Sequence, residues 1–293
     1  MVNGSMAGLT LVCGGGGVWG IAWMTGVVTG LADAGVDLRL AAKFIGTSAG
    51  AVVSTLLPGD LSVNDLFDRQ AVPARQTPEL EPPAGGLAAI MAINRQSWAD
   101  PAERLRAVCK LAREAPTVDV AARRASIAAR LAPQRDGWPE TPLLLTAVDA
   151  DTGELAVFSA DSGVSLTDAV AASCAVPGVW PPVPIGYRRY IDGGVWRTAE
   201  NAHLAEGSRC VIILSPLAAA GMGSQSQVFT LAGDVARLEA QGTAAMVIAA
   251  DADSLATMAS GPLDLACRAP AAWAGRRQGL RDADAVMQFL AAG

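Results

Sequence analysis

Four consecutive glycines, Gly14–Gly17, separate a short apolar run, Leu9–Cys13 (LTLVC), from an almost wholly apolar stretch, Ile21–Ala34. No charged side chain occurs before Asp33, which superficially resembles a signal peptide or a membrane-spanning helix. The stretch lacks the basic n-region of a signal peptide. Each glycine weakens a helix interior by nearly ~1 kcal/mol, so four in succession would break a spanning helix in its middle. The segment therefore reads as a buried strand, a glycine turn and a buried helix ending at Gly35, a C′ glycine. A second unit follows: Lys43–Gly46 (KFIG) as a strand, a tight turn, and an apolar helix through TSAGAVVSTLL. Strand, turn, helix, twice over, is the βαβα opening of a three-layer α/β/α fold with a mainly parallel central sheet.

The rest of the chain extends this pattern. Residues 59–140 hold dense Pro and charge, including PARQTPELEPPAGG and ARRASIAARLAPQR, and read as a mainly helical insertion or cap. Strand character returns at Leu143–Val148, with a turn at DADTGE and a hairpin return at LAVF. A helix over Leu166–Ser173 leads into a Pro-rich loop; Arg189–Ile191, Arg209–Leu214 and Met246–Ala250 read as strands, and Leu280–Leu290 as a closing helix. No internal repeat or linker is visible, so residues 7–293 are expected to form a single α/β domain. Residues 1–6 read as a disordered leader or expression remnant.

Composition narrows the function. The net charge of −6 argues against nucleic acid as a partner and against electrostatic docking on anionic lipid, since both need clustered Lys and Arg. It leaves room for a local apolar contact with a membrane. Five cysteines, at 13, 109, 174, 210 and 267, are widely spaced and contain no CxxC pair. No disulfide framework or metal site is expected, and a reducing, cytoplasmic setting fits. A single histidine, His203, excludes any mechanism needing two imidazoles.

Gly46-Thr47-Ser48-Ala49-Gly50 is a G-x-S-x-G sequence between an expected strand and an expected helix. A sharp strand-to-helix turn strains the serine, presents its hydroxyl at a helix N-terminus, and needs small neighbours to avoid collision; the plain alternative is a Ser-Gly turn capping a helix. The glycine run can aim several backbone N–H groups at one oxyanion or phosphate. Gly15, Gly17 and Gly20 also satisfy the dinucleotide pattern G-x-G-x-x-G, but the acidic residue required at the end of the second strand is replaced by the serine turn. Adjacent βα turns of a parallel sheet share its carboxyl edge, so the two turns together provide an attacking hydroxyl and oxyanion donors. Asp192, before Gly193 and Gly194, is the candidate base, against the alternative of an ordinary Asp-Gly turn. His203 is the competing base, in the polar stretch ENAHLAEGSR.

These motifs resemble the bacterial patatin-like phospholipases over most of the chain, from Leu9 to about residue 290. GGGGVWG is similar to the family's oxyanion motif, GTSAG to its nucleophile elbow, and DGG to its catalytic aspartate motif; Ser173-Cys174-Ala175-Val176-Pro177 is similar to a segment shaping the site. The resemblance implies a Ser48–Asp192 dyad hydrolysing fatty-acyl esters of phospholipids or other lipids without histidine, metal or cofactor. It implies an oxyanion hole around Gly15, Gly16, Gly17 and Val18. Trp19, Trp23, Pro177 and Trp180 are candidates for an acyl pocket, against the equal alternative of core packing around Trp23 and Trp180 and of loop packing for Trp19. Where the family usually carries Arg or Lys, this chain has Trp19, which implies weak activity or one confined to uncharged esters. The rival readings are a non-catalytic nucleotide- or metabolite-binding module and an inactive or regulatory relative.

Overall fold

The first strand, β1 (Leu9–Cys13), alternates its side chains between two hydrophobic clusters: Leu9, Leu11 and Cys13 enter one, and Val12 enters the other. This period of two, with every residue buried, requires a layer on each face of the sheet. The structure, a computed structural model, describes residues 6–132, 137–221, 229–258 and 261–292. The expected leader lies outside the described residues except for Met6, which is buried in a short 3-10 turn, Met6–Gly8.

After β1 come α1 (Gly17–Asp33), β2 (Lys43–Gly46) and α2 (Ala49–Leu56). The 59–140 segment contributes α3 (Val63–Ala71), α4 (Gly86–Arg95), α5 (Pro101–Glu114) and α6 (Val120–Leu131). Then follow β3 (Leu143–Asp149), β4 (Leu155–Phe158), α7 (Leu166–Ser173), β5 (Val183–Ile185), β6 (Arg188–Asp192) and β7 (Cys210–Ser215). The chain closes with α8 (Leu231–Ala240), β8 (Ala244–Ala249), α9 (Ala252–Ala256) and α10 (Arg268–Ala292). The described strands form one sheet in the order β5-β6-β3-β2-β1-β7-β8, with β4 paired to β3. The central pairings β3-β2-β1-β7-β8 are parallel, while the pairings of β4 and β6 with β3 and of β5 with β6 are antiparallel.

The fold is thus mixed α/β with a central sheet flanked by helices. Strand β5 was not legible because a proline occupies its middle, tolerated here because the strand is at the sheet edge. Helix α10 starts twelve residues before the expected Leu280, because tertiary packing extends it. A Cβ on Gly26 or Gly30 of α1 would fall 2.1 Å from carbonyl oxygens of α10, and one on Gly275 or Gly279 would fall 2.2 Å from those of α1. The two helices therefore meet backbone to backbone.

In the 59–140 segment, α3 packs on α1 and α10, and α6 packs on α7 and α2. Helices α4 and α5 supply Ile90, Val108, Cys109 and Ala112 to a separate cluster with Val148 and Ile191 of the sheet. Among the described residues, no helix is long and apolar enough to cross a membrane.

Candidate active site

Ser48 is the N-cap of α2, with φ 55° and ψ −117°. A left-handed φ is costly for a side chain other than glycine, and such strain persists only where the surroundings impose it. Here they do. A Cβ on Gly50 would sit 1.8 Å from the Cys13 carbonyl oxygen, and one on Gly46 would sit 2.7 Å from the Ala51 Cα. Both glycines of G-x-S-x-G are thus required by close packing of the elbow on β1 and α2. The Ser48 N–H donates to Ser173 Oγ at 2.9 Å, and the Cys174 thiol donates to the Ser48 carbonyl at 3.2 Å.

Asp192 ends β6 opposite Ala147 of β3. Its own N–H donates to the Ala175 carbonyl at 3.0 Å, so the 173–175 segment brackets both the serine and the aspartate. Asp192 is 4% exposed. Its Oδ1 accepts the Gly194 N–H at 2.8 Å, while Oδ2 has no closed hydrogen bond among the described residues. Burial raises the carboxyl to about 6, against the opposing pull of the Ser48 hydroxyl and the Gly194 amide.

A cavity of about 300 Å³ opens beside the serine, bordered by Ser48, Ala49, Gly17, Val18, Cys174 and Trp180, with Arg123 and Arg130 from α6. Two helix N-termini converge on it, α1 at Gly17–Val18 and α2 at Ala49. Gly17 has a φ of 61°, a left-handed conformation that glycine adopts without penalty. The N–H groups of Gly17, Val18 and Ala49 have no backbone acceptor among the described residues, as expected of a helix's first turn. They are available to an oxyanion, with the helix dipoles adding to the effect.

The expected site residues are placed unevenly. Gly17 and Val18 border the cavity; Gly15 and Gly16 do not. The Gly15 N–H is already engaged with the Ala199 carbonyl at 2.9 Å, so this expected donor is spent on holding the loop. Trp180 borders the cavity, whereas Pro177 is buried behind it and its neighbour Val176 is at the wall. Trp19 and Trp23 are core residues rather than acyl-site residues: both are fully buried and stack on each other at 6.2 Å. Their indole N–H groups point inward, to Thr257 Oγ1 at 2.8 Å and Gln278 Oε1 at 3.1 Å. His203 packs on Trp196 at 5.4 Å, and the charges acting on it are those of Asp234, Arg197, Glu206 and Arg237.

Four contributors carried no sequence signal of their own. The Ala49 amide is a product of helix geometry. Arg123 and Arg130 lay in a segment expected to be helical, with nothing to place them at the serine. Asn201, in a left-handed conformation at φ 52°, directs Nδ2 to Thr47 Oγ1 (3.2 Å), Thr146 Oγ1 (3.3 Å) and the Gly193 carbonyl (3.2 Å). It joins the elbow, β3 and the aspartate loop in one buried network.

A family profile described as patatin-like phospholipase matches residues 11–202. No curated protein matches the chain. Among solved structures, VipD from Legionella pneumophila is 14% identical with a TM-score of 0.38, covering 86% of this chain and 54% of that one. The type III effector protein ExoU is 15% identical with a TM-score of 0.34, covering 93% of this chain and 53% of that one. The chain thus spans about half the length of each.

Proposed function

Because the chain belongs to the patatin-like phospholipase family, a family of lipid acyl hydrolases, we propose that it cleaves fatty-acyl esters of phospholipids or other lipids, with Ser48 as nucleophile and Asp192 as general base. The observation that carries this reading is a strained serine at a cavity wall, held by the same 173–175 segment that holds the buried Asp192. A carboxyl at about 6 approaches the ordinary imidazole value of about 6.5, so burial supplies the basicity that a histidine would otherwise provide.

In the proposed cycle, Asp192 accepts the Ser48 proton as Oγ attacks the acyl carbon. The N–H groups of Gly17, Val18 and Ala49 hold the tetrahedral oxyanion, each worth about 3–4 kcal/mol if comparable to known donors. Collapse expels the alkoxide, which takes the proton from Asp192, leaving an acyl-serine. Water then attacks with Asp192 again as base, releasing the fatty acid and restoring the serine.

The test is active-site labelling with a fluorophosphonate. Covalent modification mapped to Ser48, absent in Ser48→Ala and strongly slowed in Asp192→Ala, together with ester hydrolysis lost in both, is the expected result. His203→Ala retains hydrolysis on this reading; its complete loss there would indicate a triad. Failure of Ser48 to label, alongside tight nucleotide binding, would support a non-catalytic binding module instead.

A further inference from the structure

The cavity beside Ser48 contains a buried cation that the proposed chemistry does not use. Arg123, on α6, is 4% exposed. Its guanidinium lies 3.8 Å from the centroid of the Trp180 ring, a stacking contact that satisfies its face but not its edges. Nε and Nη1 have no acceptor among the described residues. The other guanidinium at the cavity, Arg130, is satisfied by an ion pair with Glu79 through both Nε and Nη2.

The charge of Glu79 also acts on Arg123, but its carboxylate is bonded to Arg130, and no carboxylate accepts a hydrogen bond from Nε or Nη1 of Arg123 among the described residues. Cys174 has its thiol pushed up to about 12 by burial and is neutral. Asp264 accepts the Ala266 N–H at 2.9 Å, and Glu81 is exposed at the rim. Arg123 also borders a second cavity of about 220 Å³, where the Asp168 carboxylate is already paired with Arg124. Desolvation, followed by repulsion from Arg130, lowers the Arg123 pKa to about 10, which leaves it cationic at neutral pH.

A buried guanidinium with no hydrogen-bonded counter-ion destabilises a fold, and the cavity that Arg123 borders is the one that Ser48 borders. We propose that Arg123 is the recognition site for a negatively charged oxygen group, phosphate or carboxylate, carried by the acyl ester whose carbonyl is presented to Ser48. The substrate class is therefore an anionic acyl ester rather than the uncharged one that Trp19 implies. This rests on the reading of Ser48 as nucleophile. Trp180 fixes the plane of the guanidinium, and the open Nε and Nη1 donors lie on different edges of it, so the incoming anion accepts a charge-assisted hydrogen bond from one edge. Arg123 and Cys174 border the same cavity, and the Cys174 thiol donates to the Ser48 carbonyl, so the anion subsite and the nucleophile are neighbours.

The test uses binding, so that it stands apart from turnover. Ser48→Ala protein is titrated calorimetrically, below the micelle threshold, with 1-decanoylglycerol 3-phosphate, the hemisuccinate of 1-decanoylglycerol, and uncharged 1-decanoylglycerol. At least one anionic ester is expected to bind about 10–100-fold more tightly than the uncharged one, the range of a charge-assisted hydrogen bond. Preference for both anions assigns the site to anionic oxygen generally, and preference for the phosphate alone to a phosphoryl group. Adding Arg123→Met should erase the preference, while Arg123→Lys should restore part of it. Thermal melts serve as the fold control: removing an unpaired buried charge should leave the melting temperature unchanged or raise it. Equal binding of all three esters, or a preference that survives Arg123→Met in folded protein, overturns the proposal. Anion-selective binding without hydrolysis of any ester by the wild type would instead sink the nucleophile assignment and leave the subsite standing.

Discussion

Ser173 Oγ accepts the main-chain N–H of Ser48 at 2.9 Å. The acceptor comes from the last residue of α7 and the donor from the strained turn, 125 positions apart in sequence. With the Cys174 thiol on the Ser48 carbonyl, one short segment holds both ends of the nucleophile's peptide unit. Ser173→Ala leaves that buried N–H unsatisfied, at a cost of about 1–3 kcal/mol. Urea denaturation should show a loss in this range, and ester hydrolysis should fall through kcat more than KM.

Asp192 gives activity and stability opposite dependences on pH. The base works only when ionised, so kcat/KM should fall about tenfold per unit below pH 6 and level off above it. For stability, the folded carboxyl is raised from its ordinary 3.8 to about 6. Its contribution is therefore fully present below 3.8 and is lost as pH rises through about 6, on the order of 2–3 kcal/mol. Glu200, raised by burial to about 7, extends the same trend. Asp192→Asn should abolish hydrolysis, yet flatten part of this stability profile in denaturation series from pH 4 to 8.

Asn201 separates hydrogen bonding from backbone strain. Asn201→Ala removes the side-chain network but keeps a Cβ at a positive φ, while Asn201→Gly removes both the network and the Cβ. Both variants should lose kcat, because the elbow and the aspartate loop are no longer joined through Thr47 and Gly193. The glycine variant should be the more stable of the two by about 1 kcal/mol, read from denaturant midpoints.

Trp19 should matter to folding rather than to turnover. Trp19→Phe keeps the stacking surface towards Trp23 but loses the bond to Thr257 Oγ1. A destabilisation of about 1–2 kcal/mol is expected from the lost hydrogen bond and reduced packing. The folded fraction, measured by ester hydrolysis per active site, should retain near wild-type kcat/KM.

The local elements were well marked in the sequence. The glycine-terminated strands β1 and β2, the turn at Ser48 and helix α7 follow from hydrophobic runs and glycine placement, which act over a few residues. The Ser48, Gly17 and Val18 positions were legible for the same reason, since a strand-to-helix turn prescribes its own backbone. Whether Trp19 and Trp23 line an acyl pocket or pack in the core was not legible, because aromatic composition does not tell a buried helix face from a cavity wall; tertiary packing buries both.

By itself, the sequence determined the two βα turns at the sheet's carboxyl edge, the G-x-S-x-G elbow and the absence of a second imidazole. Only the tertiary structure decided which residues from distant segments meet there: Ser173 under the elbow, Asn201 between the loops, and Arg123 in the cavity. The physical reason is range. Turns and helix starts are fixed by steric limits on neighbouring residues, whereas burial, which raises Asp192 and strips Arg123 of water, depends on how separate elements pack.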